Sequence, residues 1–384
     1  MKLVAASVYA LDIPFVESFS HSVHARRACD SVVVRVVDED GVAGFGEGAP
    51  RPYVTGETPA SMVEHLAVEL WPAVAGTEVP SPLDAGAAAV DAAIPETAVP
   101  GVIAPNAARC ALELAMLDCA LRSRGASAAA LLPPQRPTLT YSGVIAAGDA
   151  DTAARRADQM RLVGLEQVKV KVGTGHDVER VRAVREALGP DASLRVDANG
   201  AWDLHQALQI LDALAPFAID AAEQPLPRHA LADLKALRRA TSVPVMADES
   251  LVTLEDAKVL LAEQAVDLFN IRVSKCGGLH RSAELARMAL AAGVGVQVGS
   301  QVGETAILAA AGRHLAAWAP EVAFVEGSYG TLLLAEDVSV NPVRFGHRGR
   351  AGALGGPGLG VDVVEERLRR YARRVVELSP RTRL

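Results

Sequence analysis

The sequence predicts an α/β chain in which an antiparallel α+β unit precedes a (β/α)₈-type parallel barrel. Two observations carry that expectation. Short apolar strands alternate with amphipathic helices from residue 138 to residue 326, at the period of βα units. Three carboxylates, Asp197 in LRVDANG, Glu223 in AAEQP and Asp248 in VMADES, also end successive strands at gaps of 26 and 25 residues. In a parallel barrel the ends of successive strands converge on one mouth.

The first section reads as strands. VAASVYALDIPF is followed by DSVVVRVVDEDGVAGFGEGAP, whose DEDG is expected to turn a hairpin. Alanine-rich helices are expected over 59–75, 81–94 and 106–124, separated by breaks such as EVPSP and AVPG, with Asn106 as an N-cap. LLPPQRP (131–137) is a stiff, proline-rich boundary. Expected barrel strands are 138–144, 167–172, 193–197, 218–223, 243–248, 267–274, 294–299 and 322–326. Beyond residue 330 the period is lost: GALGGPGLGV is followed by a stretch expected to be one polar helix, VVEERLRRYARRVVE. The expected division is thus an α+β cap over 1–135, a barrel over 136–330 and a tail over 331–384 that packs back on the cap.

Half the residues are hydrophobic and 22% are charged, which excludes a disordered chain. A net charge of −8 offers no basic footprint for nucleic acid. No run approaches the roughly 20 apolar residues of a membrane span, and MKLVAASVYALDIPF is interrupted too early by Asp12 and Pro14 to be a signal peptide. The scattered Cys29, Cys110, Cys119 and Cys276 contain no C-x-x-C pair, so a reduced, cytoplasmic protein is expected.

Three acids meeting at one mouth repel one another unless a cation lies among them. All-oxygen donors point to a hard ion, Mg²⁺ or Mn²⁺, with Asp197, Glu223 and Asp248 as ligands. Asn199 either orients that shell or forms a turn. In VKVKVG, Lys169 and Lys171 are two apart on a strand and face the same way. Neighbouring ammonium groups lower each other's pKa, and a lysine near neutrality can act as a general base. Lys275, in NIRVSKCGG, falls four strands further round an eight-stranded ring, so it is expected on the opposite side of a substrate. This pattern suits removal of a proton α to a carboxylate.

The ordered set K-x-K, D-x-N, E-Q-P, A-D-E-S, S-K and the late GPGLGV resembles the enolase superfamily, specifically its muconate-lactonizing-enzyme subgroup, over nearly the whole length. The resemblance implies a (β/α)₇β TIM-type barrel closed by an α+β N-terminal capping domain. It also implies Asp197, Glu223 and Asp248 as Mg²⁺ ligands, Lys171 as the base on one face and Lys275 as acid or base on the other. Lys169 would be an auxiliary cation that holds the substrate carboxylate and tunes Lys171.

VGVQVGSQVGE lacks the histidine of mandelate-racemase-type members, and Glu326-Gly327-Ser328 departs from the Asp-x-Asp of dipeptide epimerases. SYGTLLLAEDV (328–338) is similar to the muconate cycloisomerase segment. Glu304 is displaced by about one position from the cycloisomerase glutamate, and is either an electrostatic aid or an acid near the next helix start. The cap loops 18–26 and 49–58 offer His21, His24, Arg51 and Tyr53 as substrate contacts, joined by Ser300, Glu304 and Glu326 from the barrel. Trp202 either lines the pocket or packs a helix. The expected activity is a Mg²⁺-dependent isomerase, muconate cycloisomerase-like or a racemase/epimerase. The alternative is a lyase acting on an acid sugar or hydroxy acid, or of the o-succinylbenzoate synthase type. A small carboxylate substrate and a homo-oligomer are expected, with no nucleic-acid or membrane partner.

Overall fold

The computed structural model describes residues 1–20 and 25–379. His21 and His24 therefore lie outside the described residues.

The N-terminal part is strand-rich. β1 (Leu3–Leu11), β4 (Val32–Asp38) and β5 (Ala43–Gly48) form an antiparallel sheet, with β2 (Ile13–Ser20) and β3 (Ala25–Cys29) pairing apart from it. The DEDG turn is as expected: Asp38 N–H donates to Val42 O across it and Val37 pairs with Ala43. The helix expected over 59–75 is α1 (Pro59–His65), one wider π turn at Leu66–Leu70 and α2 (Trp71–Val74). The one expected over 81–94 is broken at Gly86, whose φ of 79° a side chain would resist, into α3 (Pro82–Ala85) and α4 (Ala87–Ala93).

α5 (Asn106–Ser123) lies on β5 with almost every residue buried. Alternate residues of β5 face it, and these are Gly44, Gly46 and Gly48; a Cβ on Gly46 would sit 2.1 Å from Ala111 O. The glycines thus let helix and strand backbones touch. Asn106 is not the N-cap. It is the first helical residue, and its amide donates to Val252 O and Lys275 O across to the barrel.

The central element is a curled parallel sheet in the order β7–β8–β9–β10–β11–β12–β13–β14. Its strands are β7 (Gly143–Ile145), β8 (Gln167–Lys171), β9 (Ser193–Asp197), β10 (Ala221–Glu223), β11 (Val245–Ala247), β12 (Leu268–Ile271), β13 (Gly295–Val298) and β14 (Phe324–Val325). Between them run α6 (Ala150–Leu162), α7 (Asp177–Leu188), α8 (Leu204–Leu214), α9 (Leu231–Ala240), α10 (Leu254–Ala262), α11 (Leu279–Ala291) and α12 (Ala306–Trp318). Tyr141 bridges Val325, and Ser142 N–H donates to Val325 O at 2.8 Å, so the first and last strands meet. The expected strand 138–144 is split: β6 (Thr138–Thr140) leaves the curled sheet to pair with β15 (Arg350–Gly352).

The tail differs from expectation. The helix is only α13 (Glu365–Tyr371), after which β16 (Ala372–Leu378) joins the N-terminal sheet beside β1, Val8 pairing with Val376. An open edge on β1 offers unpaired main-chain groups, and that pull overrides the helical tendency of RRVVE.

Period two decides what fills the curl. On β8 the valines Val168 and Val170 join the apolar core, while Lys169 and Lys171 take the other face. A small apolar floor of Ala221, Met246, Leu268 and Phe324 closes the interior. Two residues along the same strands lie Glu223, Asp248, Asn270 and Glu326.

Candidate active site

The sequence-predicted acids sit side by side. Glu223 pairs in register with Asp197, and Lys171 pairs with Asp197 from the other side. Asp197, Glu223 and Asp248 are fully buried. Burying three such charges requires close partners, and these are cations. Lys169 Nζ lies 3.1 Å from Glu223, 2.8 Å from Glu326 and 3.3 Å from Asp197. Lys171 Nζ donates to Asp197 Oδ2 at 2.6 Å and Asn199 Oδ1 at 2.9 Å. Arg272 donates to Asp248 Oδ2, to Glu223 Oε1 at 3.3 Å and to Gln301 Oε1 at 3.2 Å. Lys275 Nζ donates to Asp248 O at 2.6 Å, Asp248 Oδ1 at 3.0 Å and Asn270 O at 2.8 Å. The acids are thus joined through shared cations. Among the described residues, no three His, Cys, Asp or Glu side chains form a ready-made metal cage.

The electrostatics follow. Burial opposes charge on Glu223, yet Lys169 and Arg272 hold its carboxyl well below the usual range. Burial and the neighbouring Glu223 push Asp197 up. Burial also works against charge on Lys169, but Glu223, Glu326 and Asp197 outweigh it and raise its pKa, the reverse of the mutual lowering expected for two adjacent lysines. The three acids all lie within 3.3 Å of Lys169 Nζ, and they decide the sign.

The donor set suits a hard divalent ion: three buried carboxylates on adjacent strand ends, flanked by a fourth, Glu249. Glu249 Oε2 is buried with no hydrogen-bond partner among the described residues, while Oε1 accepts from Asn199 Nδ2 at 3.0 Å. Burial, Asp248 and Asp197 push Glu249 up to about 7. Asn199, at φ 48°, therefore ties Lys171, Asp197 and Glu249 together and is more than a turn residue.

The expected substrate contacts are less uniform. Arg51 is buried, donating to Asp30 at 3.0 Å and to Pro50 O and Val302 O at 2.5 Å, so it ties the cap to the loop after β13. Tyr53 packs with Val54, Ala104 and Val252. Glu326 is paired inside the curl with Lys169 and with Arg195 at 2.6 Å. Ser300 and Glu304 lie together beside Gly327, where an added Cβ would be 2.9 Å from Ser300 Cβ and 3.9 Å from Glu304 Oε2. Burial pushes Glu304 up to about 8. It accepts from Gln301 N–H, whereas Thr305 and Glu47 cap α12. Trp202 is buried and donates to Asp177 at 3.3 Å, which is packing under α7.

Sequence reasoning passed over Arg272, Asn270, Gln297 and Gln224. The first three could have been found by stepping back in twos from Arg272 through Asn270 to Leu268, and by noting Gln297 on the next strand; Asn270 and Gln297 each donate to Glu223, at 2.8 and 3.0 Å. Gln224 Oε1 accepts from Asp248 N–H and Ser250 N–H, fixing the loop that carries Asp248.

Acids and amines gathered at the strand ends of a curled parallel sheet define an acid–base enzyme of the barrel type. A family model described as "Enolase C-terminal domain-like" matches residues 152–367. The chain is 32% identical over 320 residues to a hydrophobic dipeptide epimerase of Enterococcus faecalis, covering 83% of this chain and 87% of that one. It is 30% identical over 382 residues to muconate cycloisomerase 1 of Rhodococcus opacus, covering 97% and 99%. The solved dipeptide epimerase of Cytophaga hutchinsonii, complexed with Mg and D-Ala-L-Val, superposes with a TM-score of 0.87 at 27% identity over 99% of this chain and 100% of that one. The chain belongs to the enolase superfamily, on its muconate-lactonizing-enzyme side, among relatives that are isomerases.

Proposed function

We propose that this chain is a Mg²⁺-dependent isomerase that removes a proton α to the carboxylate of a small acid, with Lys171 as the base. The observation that carries the reading is the Lys171 ammonium held by Asp197 and Asn199 beside the buried acids of the next strands. Two of the three positions around Nζ are taken, and the side chain keeps a small opening, 8% exposed. Among the described residues no acceptor takes the third position, where the substrate hydrogen would sit. Acting as the base, Lys171 takes that hydrogen as a proton, and the electron pair passes into the substrate as an enolate.

Asp197, Glu223 and Asp248 would hold the magnesium ion, with Glu249 beside them. When bound, it supplies positive charge where the substrate carboxylate gains negative charge. Lys169 and Arg195, both paired with Glu326, form the charged layer beneath, and with Arg272 they keep Glu223 ionised. The polypeptide divides as a cap over 1–135, a (β/α)₇β barrel over 136–330 and a tail over 331–384 returning to the cap; the pairing of β16 with β1 supports this. The protein works as a cytoplasmic homo-oligomer.

A panel of muconates, N-acyl amino acids, dipeptides and acid sugars, incubated in D₂O with Mg²⁺ and followed by proton NMR, tests the reading. Loss of an α-hydrogen signal that depends on Lys171 is expected. Conversion that survives Lys171→Ala would reject it.

A further inference from the structure

The turn after β12, residues 272–278, brings Arg272 and Lys275 to the buried acids, and the cap holds it from outside. Ala49 N–H, just past β5, donates to Ser274 Oγ at 2.8 Å. Asn106 Nδ2, on the first residue of α5, donates to Lys275 O at 2.7 Å. Further along the same helix, Glu113 accepts from Leu279 N–H and His280 N–H at 2.8 and 2.9 Å. Seven residues return to the same face of a helix roughly 10 Å further on, so Asn106 and Glu113 clasp the turn from one face of α5. The clasp accounts for the glycine pair of KCGG. A Cβ on Gly277 would meet Asn106 Oδ1 at 3.0 Å, and one on Gly278 would meet Glu113 Oε2 at 2.5 Å. Their φ angles of 87° and 120° resist side chains as well.

The same Asn106 amide donates to Val252 O at 2.8 Å, in the loop that follows Asp248. From within the site, Lys275 Nζ donates to Asp248 O and Asp248 Oδ1. One nitrogen of the cap therefore joins the main chains of the two loops whose side chains meet at Asp248. Asn106 is buried, so water does not stand in for these bonds. It is itself placed by the cap loop 49–58: Glu57 accepts from Ala107 N–H and Ala108 N–H at 2.8 and 2.9 Å. Hydrogen bonds thus run from that loop, through the start of α5, to the loops bearing Asp248 and Lys275.

We infer that Asn106 is a positioning residue for the reaction, setting the loops of Asp248 and Lys275 against each other through their main chains. This rests on the isomerase reading above. Asn106 acts through Val252 O and Lys275 O and not on the substrate. A shift of about 1 Å in either loop misplaces Asp248 as a magnesium ligand and the β12 cations beside it, an error that can cost about 100-fold in rate. The cap then fixes the geometry of the barrel's own site residues as well as covering them.

The test compares the unaltered protein with Asn106→Ala in two readings: the Kd for Mg²⁺, from the rise of Tm with its concentration, and α-hydrogen exchange of the panel substrate by proton NMR. Asn106→Ala should raise that Kd about tenfold or more and lower kcat to a similar extent, with KM changed less than about threefold. Leu114→Ala, buried in the same helix, loosens the cap by packing alone and should lower Tm without moving Kd or kcat. Asn106→Ser, whose hydroxyl can donate to only one of the two carbonyls, should fall between, and it keeps the inference testable if the alanine variant does not fold. Unchanged Kd and kcat in Asn106→Ala, or a Leu114→Ala variant that moves them as far, overturns the inference and leaves the isomerase reading standing. Exchange of no probe by the unaltered protein overturns the isomerase reading, while the Kd still decides whether Asn106 places Asp248. A Tm of the unaltered protein that ignores Mg²⁺ overturns both.

Discussion

Lys171 and Asp197 face each other in register across β8 and β9, Nζ to Oδ2 at 2.6 Å. Asn199 completes the hold two residues later, so the amine is aimed by two side chains on a neighbouring strand end. A base fixed in this way contributes through position as well as chemistry. Lys171→Met should lower α-hydrogen exchange by roughly 100- to 10,000-fold while leaving far-UV circular dichroism unchanged. A loss of less than tenfold, read by proton NMR in D₂O, would assign the base elsewhere.

The strand-and-helix alternation was legible because each strand is short, apolar and followed by an amphipathic helix. The acids were legible for the same reason: Asp197, Glu223 and Asp248 stand at ends of strands whose period is plain. Arg272 was not, because Lys275 is the conspicuous cation of NIRVSKCGG, and only the pleat shows that Arg272 continues the alternation of Leu268 and Asn270 into the interior. The tail was missed because strand pairing with β1 is a long-range effect that RRVVE does not announce locally. Arg51 reads as a substrate contact because nothing in APRPYVTGET reveals that Asp30 and two carbonyls would claim it.

The glycines of AGFGEG make a packing claim. Gly46 has no room for a methyl group, since Ala111 O and Ala115 N would lie 2.1 and 2.4 Å from it and both belong to the helix backbone. Neither can rotate aside, so α5 must lift off β5. Gly46→Ala should cost about 3 kcal/mol or more in urea unfolding, at the upper end of overpacking changes. An unchanged midpoint would mean that the cap tolerates a wider spacing between helix and sheet.

A pH dependence is built in where the cap meets the barrel. Glu113 on α5 accepts from Leu279 N–H and His280 N–H at the start of α11, at 2.8 and 2.9 Å. Burial outweighs these bonds and pushes it up to about 7 from an unfolded value near 4.5. A raised acid favours the folded state while it is protonated. Its contribution is fully present below pH 4.5 and is lost as pH rises through 7, a span worth roughly 3 kcal/mol. Glu113→Gln carries a constant penalty for the lost acceptor but has no charge to bury. Its Tm relative to the unaltered protein should therefore climb between pH 5 and pH 8, and a flat or falling difference would refute the assignment.

Magnesium removal should separate stability from turnover. In the metal-free chain Glu223 already has Lys169 and Arg272 beside it, and Asp248 has Arg272 and Lys275. No acid of the trio is left alone, so the chain should fold without metal, with circular dichroism unchanged after EDTA. Any ion that binds only the folded form must still stabilise it, by about 2.7 kcal/mol at a hundredfold excess over Kd. Tm should therefore rise with Mg²⁺ concentration, and Glu223→Gln should flatten that rise by removing a ligand charge. Turnover should vanish with EDTA and return with Mg²⁺, because Lys169, Arg272 and Lys275 are already engaged by the acids and the ion would supply the positive charge that meets the substrate carboxylate. Undiminished turnover in EDTA would show that Lys171 works without the ion and would end the metal-assisted mechanism. A collapse of the fold in EDTA would instead show that the internal ion pairs are too weak to hold the site.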